Sequence, residues 1–336
     1  MKNVLCFGEA LIDFLHIGAT SQGPLSLPEF RQYPGGAPAN AAVAVAQLGG
    51  QARFAGQVGA DKFGDFLSSA LEQYGVDTRF LLRHPSAKTS LAFVMLDDSG
   101  DRSFSFYRHE TADVMLTPAQ ISPDWFNPDG LVHICSNTLT TPAIAQSTTA
   151  LIAQAKAAGQ FISFDVNLRH NLWAAGAADR DVVNALVKQA DLVKFSRDEL
   201  EYLAQGQSEA YLQDCLHAGC ALLLVTDGAN RIDFYGQQHS GSIQPPKVKA
   251  VDTTAGGDAF IGGVLFGLSV LNSQQAVFSD AALLKQLLTF ASFCGAYAVT
   301  LPGAFPALPD QQAVAQLMQQ HQLSPTDFDP AFFRSL

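Results

Sequence analysis

A chain of 336 residues, 48% of them hydrophobic, can bury a large core and has the length of one large or two ordinary domains. Thirty-one acidic against twenty basic residues leave a net charge of −11, which opposes nonspecific attachment to nucleic acid or anionic membranes. Five cysteines, Cys6, Cys135, Cys215, Cys220 and Cys294, lie in apolar segments without CxxC spacing, so reduced thiols in a cytoplasmic protein are expected, not a disulfide framework or zinc site.

The N-terminal MKNVLCFGEALIDFL lacks the three-part layout of a secretory signal, and no run of about eighteen apolar residues is expected to span a bilayer. NVLCFGEALIDF reads as a first strand ending on Asp13. A polar stretch from Gly18 to Pro34 follows, and the Ala/Val/Leu content of GGAPANAAVAVAQLGG predicts a closely packed helix from about Ala39 to Leu48. RFAGQVG predicts a short strand, and DKFGDFLSSALEQYGV a helix that stops at Gly75. TSLAFVMLDDSGDRSFSF reads as two strands joined through Asp98, Ser99, Gly100 and Asp101.

Alternation then resumes: LVHIC, a helix near Ala143 to Ala158, FISFDVN, a helix from about Asp179 to Ala190, DLVKFS, a helix around Asp198 to Ala204, and ALLLVTDG. A second hairpin, RIDFYGQQHSG, precedes VDTTAGGDAFIGGVLFGL. After Pro309 a polar helix and a loosely held end are expected. The pattern predicts a mainly parallel α/β sheet covered on both faces, with Phe14 to Pro34 and Lys88 to Ala112 left over as a small β lid.

In such sheets ligands sit outside the carboxyl ends of the strands, where loops enter helices. DTTAGGD is a Gly-rich turn of this kind, aiming backbone N–H groups and a helix dipole at one point. Ala255, Gly256 and Gly257 let a phosphoryl group approach, while Asp258 can reach a hydroxyl, and the dipole is expected to keep its carboxylate ionised. A carboxylate to take a proton beside dipoles that hold charge is what alcohol phosphorylation needs. Taken alone, the turn fits a capped, tightly packed helix terminus as well. A second Gly-rich turn, YPGGAPAN, carries Asn40, whose amide either caps backbone or reads ligand hydroxyls. Asp13 adds a third polar group at the rim of the sheet. No Gly is followed by Lys, which excludes a P-loop, and GxGxxG after the first strand, GxSxG and HExxH are all missing.

YPGGAPANAAVAVAQLG together with DTTAGGDAF resembles the two signatures of the ribokinase-like carbohydrate kinases, the PfkB family, and GQVGADKFG, VTDG and PGAFPALP extend the likeness over nearly the whole chain. The resemblance implies one ribokinase-like domain over residues 1–336, a Rossmann-type three-layer sandwich with the lid at about 14–34 and 88–112, and transfer of the ATP γ-phosphoryl to a sugar hydroxymethyl with magnesium. It implies Asp258 as general base and the backbone of Ala255 to Asp258 as anion hole. Asp13, Gly35, Gly36 and Asn40 would hold sugar hydroxyls, Thr226 and Gly228 would line the nucleotide site, and Glu199 would act on magnesium through water. Asp252, Thr254, Ala298 and Gly303 would hold a monovalent cation such as potassium. A homodimer through the lid is a further implication, with small molecules and no nucleic acid or membrane as partners.

The chain departs from the family in three places. Ala255-Gly256-Gly257 replaces Gly-Ala-Gly, which strains Ala255 if that position needs positive φ. Ser196 replaces Asn in the Asn-x-x-Glu motif and keeps a place at the nucleotide site, and Arg231 replaces a glycine, facing either a phosphate or solvent. GGAPAN, FYRHETAD and DVNLRHNLW resemble the fructokinase branch, with Arg108 implied at the sugar and Arg169 at a phosphate, or each in a structural ion pair. The alternatives are 2-keto-3-deoxygluconate kinase, ribokinase, nucleoside kinase and, from another class, a sugar- or nucleotide-binding sensor without turnover.

Overall fold

In the computed structural model, which describes residues 1–96, 102–271 and 273–333, the N-terminal apolar run divides. Gly8 has φ 148, a backbone open to glycine, and separates β1 (Asn3–Phe7) from β2 (Leu11–Gln22). Asp13 therefore stands near the start of a second strand, correcting its expected place at the end of the first. β3 (Leu25–Gly35) pairs antiparallel with β2. Next come α1 (Ala37–Gln47), β4 (Gln51–Gly59), α2 (Lys62–Gln73), β5 (Asp77–His84), β6 (Leu91–Leu96) and β7 (Arg102–Tyr107). The expected turn Asp98 to Asp101 lies outside the described residues.

The middle of the chain alternates β8 (Leu131–Cys135), α3 (Pro142–Ala157), β9 (Phe161–Asp165), α4 (Arg180–Val187), β10 (Leu192–Ser196), α5 (Arg197–Ala204), α6 (Ser208–His217) and β11 (Leu222–Thr226). The hairpin β12 (Ile232–Gly236) and β13 (Ser240–Ile243) follows, then α7 (Gly256–Val270), α8 (Gln274–Ser279), α9 (Ala281–Ala298) and α10 (Gln311–Gln320).

The large sheet runs β13-β12-β11-β10-β9-β8-β1-β4-β5, parallel from β11 to β5 and antiparallel in the final hairpin; the small sheet runs β3-β2-β6-β7. Strand alternation sorts the core. Val4 and Cys6 face α1, α7 and α9, while Leu5 and Phe7 face α3 and α4. All five cysteines are buried and unpaired.

Helix α7 needs its glycines because it lies between two other helices. A Cβ on Gly262 would meet Ala44 Cβ of α1 at 2.4 Å, and one on Gly263 would meet Ala291 Cα of α9 at 2.9 Å. This close approach fixes the start of α7, and Asp258 with it, against the sheet. Helix α9 has the length and apolar content of a membrane span, against the expectation that no such run exists. It is nonetheless a core helix: Leu284, Leu287, Leu288 and Phe290 are buried against its neighbours. The segment up to residue 333 is also not loose, since Phe328, Phe332 and Phe333 pack into the same core.

Candidate active site

The carboxyl ends of the parallel strands and the lid enclose a cavity of about 210 Å³. That is below the roughly 300–1,000 Å³ of pockets for drug-sized ligands and in proportion to one small polar molecule. Glu9, Asp13, Gly36, Asn40, Arg169 and Asp258 lie on its walls, and the lid contributes Phe104 and Phe106 from β7.

Asp258 occupies the third position of α7, where the small residues before it leave the helix without a side-chain cap. The Gly256 N–H bonds the Thr253 carbonyl at 3.4 Å, and the N–H groups of Gly257 and Asp258 are left open to an anion. Ala255 has φ −99, so the expected strain at this position is absent. Asn40 Nδ2 donates to Asp258 Oδ2 at 2.7 Å, a partner for the amide that was neither of the two foreseen. Burial pushes the Asp258 carboxyl above its ordinary range, while the Asn40 bond and the charges of Lys194 and Arg169 pull it back. Burial thus acts against the ionisation that the helix terminus is expected to favour, and a raised pKa makes the carboxylate a stronger base.

Lys194 was not anticipated. It stands on β10 beneath the turn, its Nζ 3.1 and 3.2 Å from the two Asp165 oxygens, and a Cβ on Gly257 would lie 3.2 Å from that Nζ. The carboxylate holds the ammonium above its ordinary pKa, so a buried positive charge lies behind the Gly-rich turn. A Lys and an Asp in the otherwise apolar FISFD and LVKFS were the available signal.

Asp13 takes the wall formed by β2, and burial with the repulsion of Asp258 and Asp252 pushes its carboxyl up to about 7. Gly35 makes room for it, since a Cβ there would overlap the Asp13 carboxylate. Gly36 has φ 105, and a Cβ would sit 2.4 Å from the Glu9 carbonyl oxygen.

Arg108 lies elsewhere. Its guanidinium is buried in a bond to Asp113 at 2.5 Å and in bonds to Thr140 Oγ1 at 3.2 Å and the Asn137 carbonyl at 3.0 Å. It forms a structural ion pair, the second of the two readings, and is not among the residues that line the cavity. Arg169 does reach the wall, and one of its Nη groups donates to the Leu168 carbonyl at 3.0 Å. Arg231 is tied to Asp233 at 3.0 Å.

A second group of predicted residues lines the adjacent ends of β10 and β11. Ser196 pairs in register with Thr226, and Gly228 turns with φ 53. Ser196 and Glu199 form a capping box on α5: Glu199 Oε2 accepts from the Ser196 N–H at 2.7 Å, and its Oε1 from the Leu168 N–H at 2.8 Å. Each oxygen keeps a lone pair that could accept from a metal-bound water. Among the described residues no cluster of three His, Cys, Asp or Glu suits a resident metal. Asp252 accepts from the Thr254 N–H and from the Gly303 N–H, both at 2.9 Å, and Ala298 ends α9 next to Val299, whose carbonyl accepts from Asp252 N–H. The four positions predicted for a monovalent cation thus lie along one loop junction. Sequence reasoning missed Glu9, Asn137 and Asn167, which also line the cavity; Asn167 has φ 35, unusual for a residue with a side chain.

Comparison with known proteins gives the family. The profile described as "pfkB family carbohydrate kinase" matches residues 1–311. "Probable fructokinase-7" of Arabidopsis thaliana is 38% identical over 320 residues, 94% of this chain and 92% of that one. A crystal structure of fructokinase from Xylella fastidiosa with bound ATP superposes with a TM-score of 0.87 at 39% identity, covering 95% of this chain and 99% of that one. A fructokinase double mutant from Vibrio cholerae O395, in a form with fructose, ADP and potassium ion bound, gives a TM-score of 0.83 at 36% identity, covering 94% and 97%.

Proposed function

This chain belongs to the pfkB family of carbohydrate kinases, and from that premise we propose that it is a fructokinase with ATP as phosphoryl donor. The observation that carries the reading is the buried carboxylate of Asp258, held by Asn40 at the uncapped start of α7 in a cavity under the lid.

Asp258 takes the proton of the sugar's primary hydroxyl as its oxygen forms a bond to the γ-phosphorus, and the bond to the leaving ADP oxygen breaks. Within the Ala255–Asp258 turn the open N–H groups of Gly257 and Asp258 face the transferring phosphoryl, and the Lys194 ammonium behind them adds fixed positive potential. Arg169 at the rim serves the phosphate. Asp13, Gly35, Gly36 and Asn40 orient the sugar, while Phe104 and Phe106 exclude water that would otherwise accept the phosphoryl group. Ser196, Thr226 and Gly228 take the nucleotide. Glu199 would hold the magnesium of the nucleotide through water, neutralising phosphate charge when bound. Asp252, Thr254, Ala298 and Gly303 would hold potassium, in keeping with the ion named for the Vibrio cholerae relative.

The unpaired buried thiols support a reducing, cytoplasmic setting. The lid's exposed Ile17, Leu25 and Leu27 support a homodimer formed through that sheet. The two lid phenylalanines also favour a second reading, a nucleoside acceptor whose base stacks on them. ADP release with magnesium and ATP across fructose, 2-keto-3-deoxygluconate, ribose, glucose and adenosine tests both: fructose-selective turnover supports the first, adenosine turnover the second, and turnover on none would sink both.

A further inference from the structure

Phe104 and Phe106 of β7 reach the cavity from the lid, and the base of the β6–β7 flap that carries them is firmly set. The chain enters β6 just after Ser90, which donates to the Asp113 carboxylate and lies 2.7 Å from Thr111 Oγ1; that hydroxyl meets the same carboxylate at 2.7 Å. It leaves β7 at Arg108, which is paired with Asp113 and donates to the Asn137 carbonyl at 3.0 Å. The Asn137 amide in turn donates to Glu9 Oε1 at 2.8 Å. Bonds among buried groups thus fix where both strands leave the body of the protein. They do not fix how closely β7 lies over the cavity.

β7 is an edge strand, with β6 on one side and no strand on the other, so a row of its backbone groups has no ladder partner. One of them is taken by a side chain: Asn171 Nδ2, from the loop after β9, donates to the Phe104 carbonyl at 3.1 Å. Among the described residues no other hydrogen bond ties β7 to the body. Asn171 is exposed, and its place rests on the loop that carries it. In that loop the Leu168 N–H donates to Glu199 Oε1 at 2.8 Å, the Leu172 N–H to the Arg169 carbonyl at 2.9 Å and the Ala178 N–H to His170 Nδ1 at 3.1 Å. The His170 ring meets Tyr202 edge-on with centroids 4.6 Å apart, and Trp173 is buried. The same loop sets Asn167 and Arg169 in the cavity wall, so one frame carries both the residue that reaches the lid and those that face the ligand.

We propose that Asn171 is a positioning residue, a latch whose amide holds β7 down so that Phe104 and Phe106 seal the cavity during phosphoryl transfer. The inference rests on the sugar-kinase reading and deepens it. With the latch released, water reaches the γ-phosphorus in place of the sugar hydroxyl. Its oxygen bonds to phosphorus as Asp258 takes its proton, the bond to the ADP oxygen breaks, and inorganic phosphate leaves. The sugar also escapes more readily. One neutral hydrogen bond at an exposed site shifts an open-to-closed equilibrium several-fold, not by orders of magnitude, and that sets the size of the expected effects.

The test uses the full chain as wild type, Asn171→Ala and Asn171→Asp, the last keeping the shape of the side chain but offering the carbonyl no donor. Spin labels at Ser105→Cys on β7 and Glu201→Cys on α5, both exposed, report the distance from lid to body, the native cysteines being buried. With fructose present, the unsubstituted latch gives one short distance, and both variants add a longer population. In unlabelled protein with ATP, magnesium and saturating fructose, the ratio of inorganic phosphate to ADP rises at least threefold in both variants. KM for fructose rises at least threefold with kcat within twofold. A surface bond that merely stabilised the fold would lower the melting temperature and leave the phosphate ratio alone. An unchanged distance, or a phosphate ratio and KM both unchanged, in the two variants would sink the latch alone. Distances that shift as stated in a protein that releases no ADP would sink the kinase reading alone.

Discussion

Asn40 and Asp258 are 218 residues apart in the chain, yet the amide of the first donates to the carboxylate of the second at 2.7 Å. The bond joins the starts of α1 and α7, the two helices that open from the Gly-rich turns. It is one of the influences that pull the Asp258 pKa down against burial. In Asn40→Ala that pull is lost and the pKa rises. A base works only when ionised, so the acid limb of the kcat/KM profile should move to higher pH, with the plateau lowered roughly tenfold. Asn40→Asp places a second carboxylate there and should move the limb further. An unchanged limb in both variants would contradict the assignment.

Asp13 gives a stability prediction with a definite sign. Its carboxyl is pushed up to about 7 in the fold, above its unfolded value of 3.8, so the folded chain holds a proton that the unfolded chain releases. Stability contributed by protonated Asp13 is present at low pH and is lost as pH rises through that window. Melting between pH 5 and pH 7.5 in the absence of sugar should show a decline that Asp13→Asn reduces by about 1–2 kcal/mol, a figure discounted for water in the cavity.

Ala255 adopts a backbone that any residue accepts, so the order Ala255-Gly256-Gly257 is no defect in the turn. Ala255→Gly should leave kcat within about twofold and cost on the order of 1 kcal/mol through a lost buried methyl and a freer unfolded chain. A large gain in kcat would show instead that the native order impairs the anion hole.

Gly36→Ala meets both a positive φ and the Glu9 carbonyl at 2.4 Å. Urea denaturation should show a loss of about 2–4 kcal/mol, with sugar binding weakened because Glu9 and Asp13 flank the displaced backbone.

Much of the frame was legible because apolar runs and helical spacing are local signals. The parallel strands β8 to β11 fall within LVHIC, FISFDVN, DLVKFS and ALLLVTDG, and α3, α4 and α5 fall where the helical runs between them predict. The break at Gly8 was not legible, since NVLCFGEALIDF, though interrupted by Glu9, reads as one strand and only the fold shows the chain leaving the large sheet for the lid. Strand β5 and helix α6 were missed as well: DTRFLLRH alternates weakly, and SEAYLQDCLH has too few apolar residues to mark a face. In the site, Asp258 and Asn40 were legible from the turns that carry them. Their bond was not, nor was the Glu9–Asn137 bond, because pairing across a sheet leaves no local trace. Arg108 shows the converse: beside the lid its charge fits a ligand contact or an ion pair equally, and only the fold shows Asp113, five residues on, bonded to it.

The account turns on Asp258 as the base, and one comparison tests it most directly. Wild type and Asp258→Asn are assayed for ADP release with magnesium, ATP and fructose, with fructose binding measured by calorimetry on both. Turnover should fall by about 10²–10⁴-fold in the Asn variant while fructose still binds within a few-fold of wild type. An Asn variant that phosphorylates fructose at a rate near that of wild type would contradict the claim.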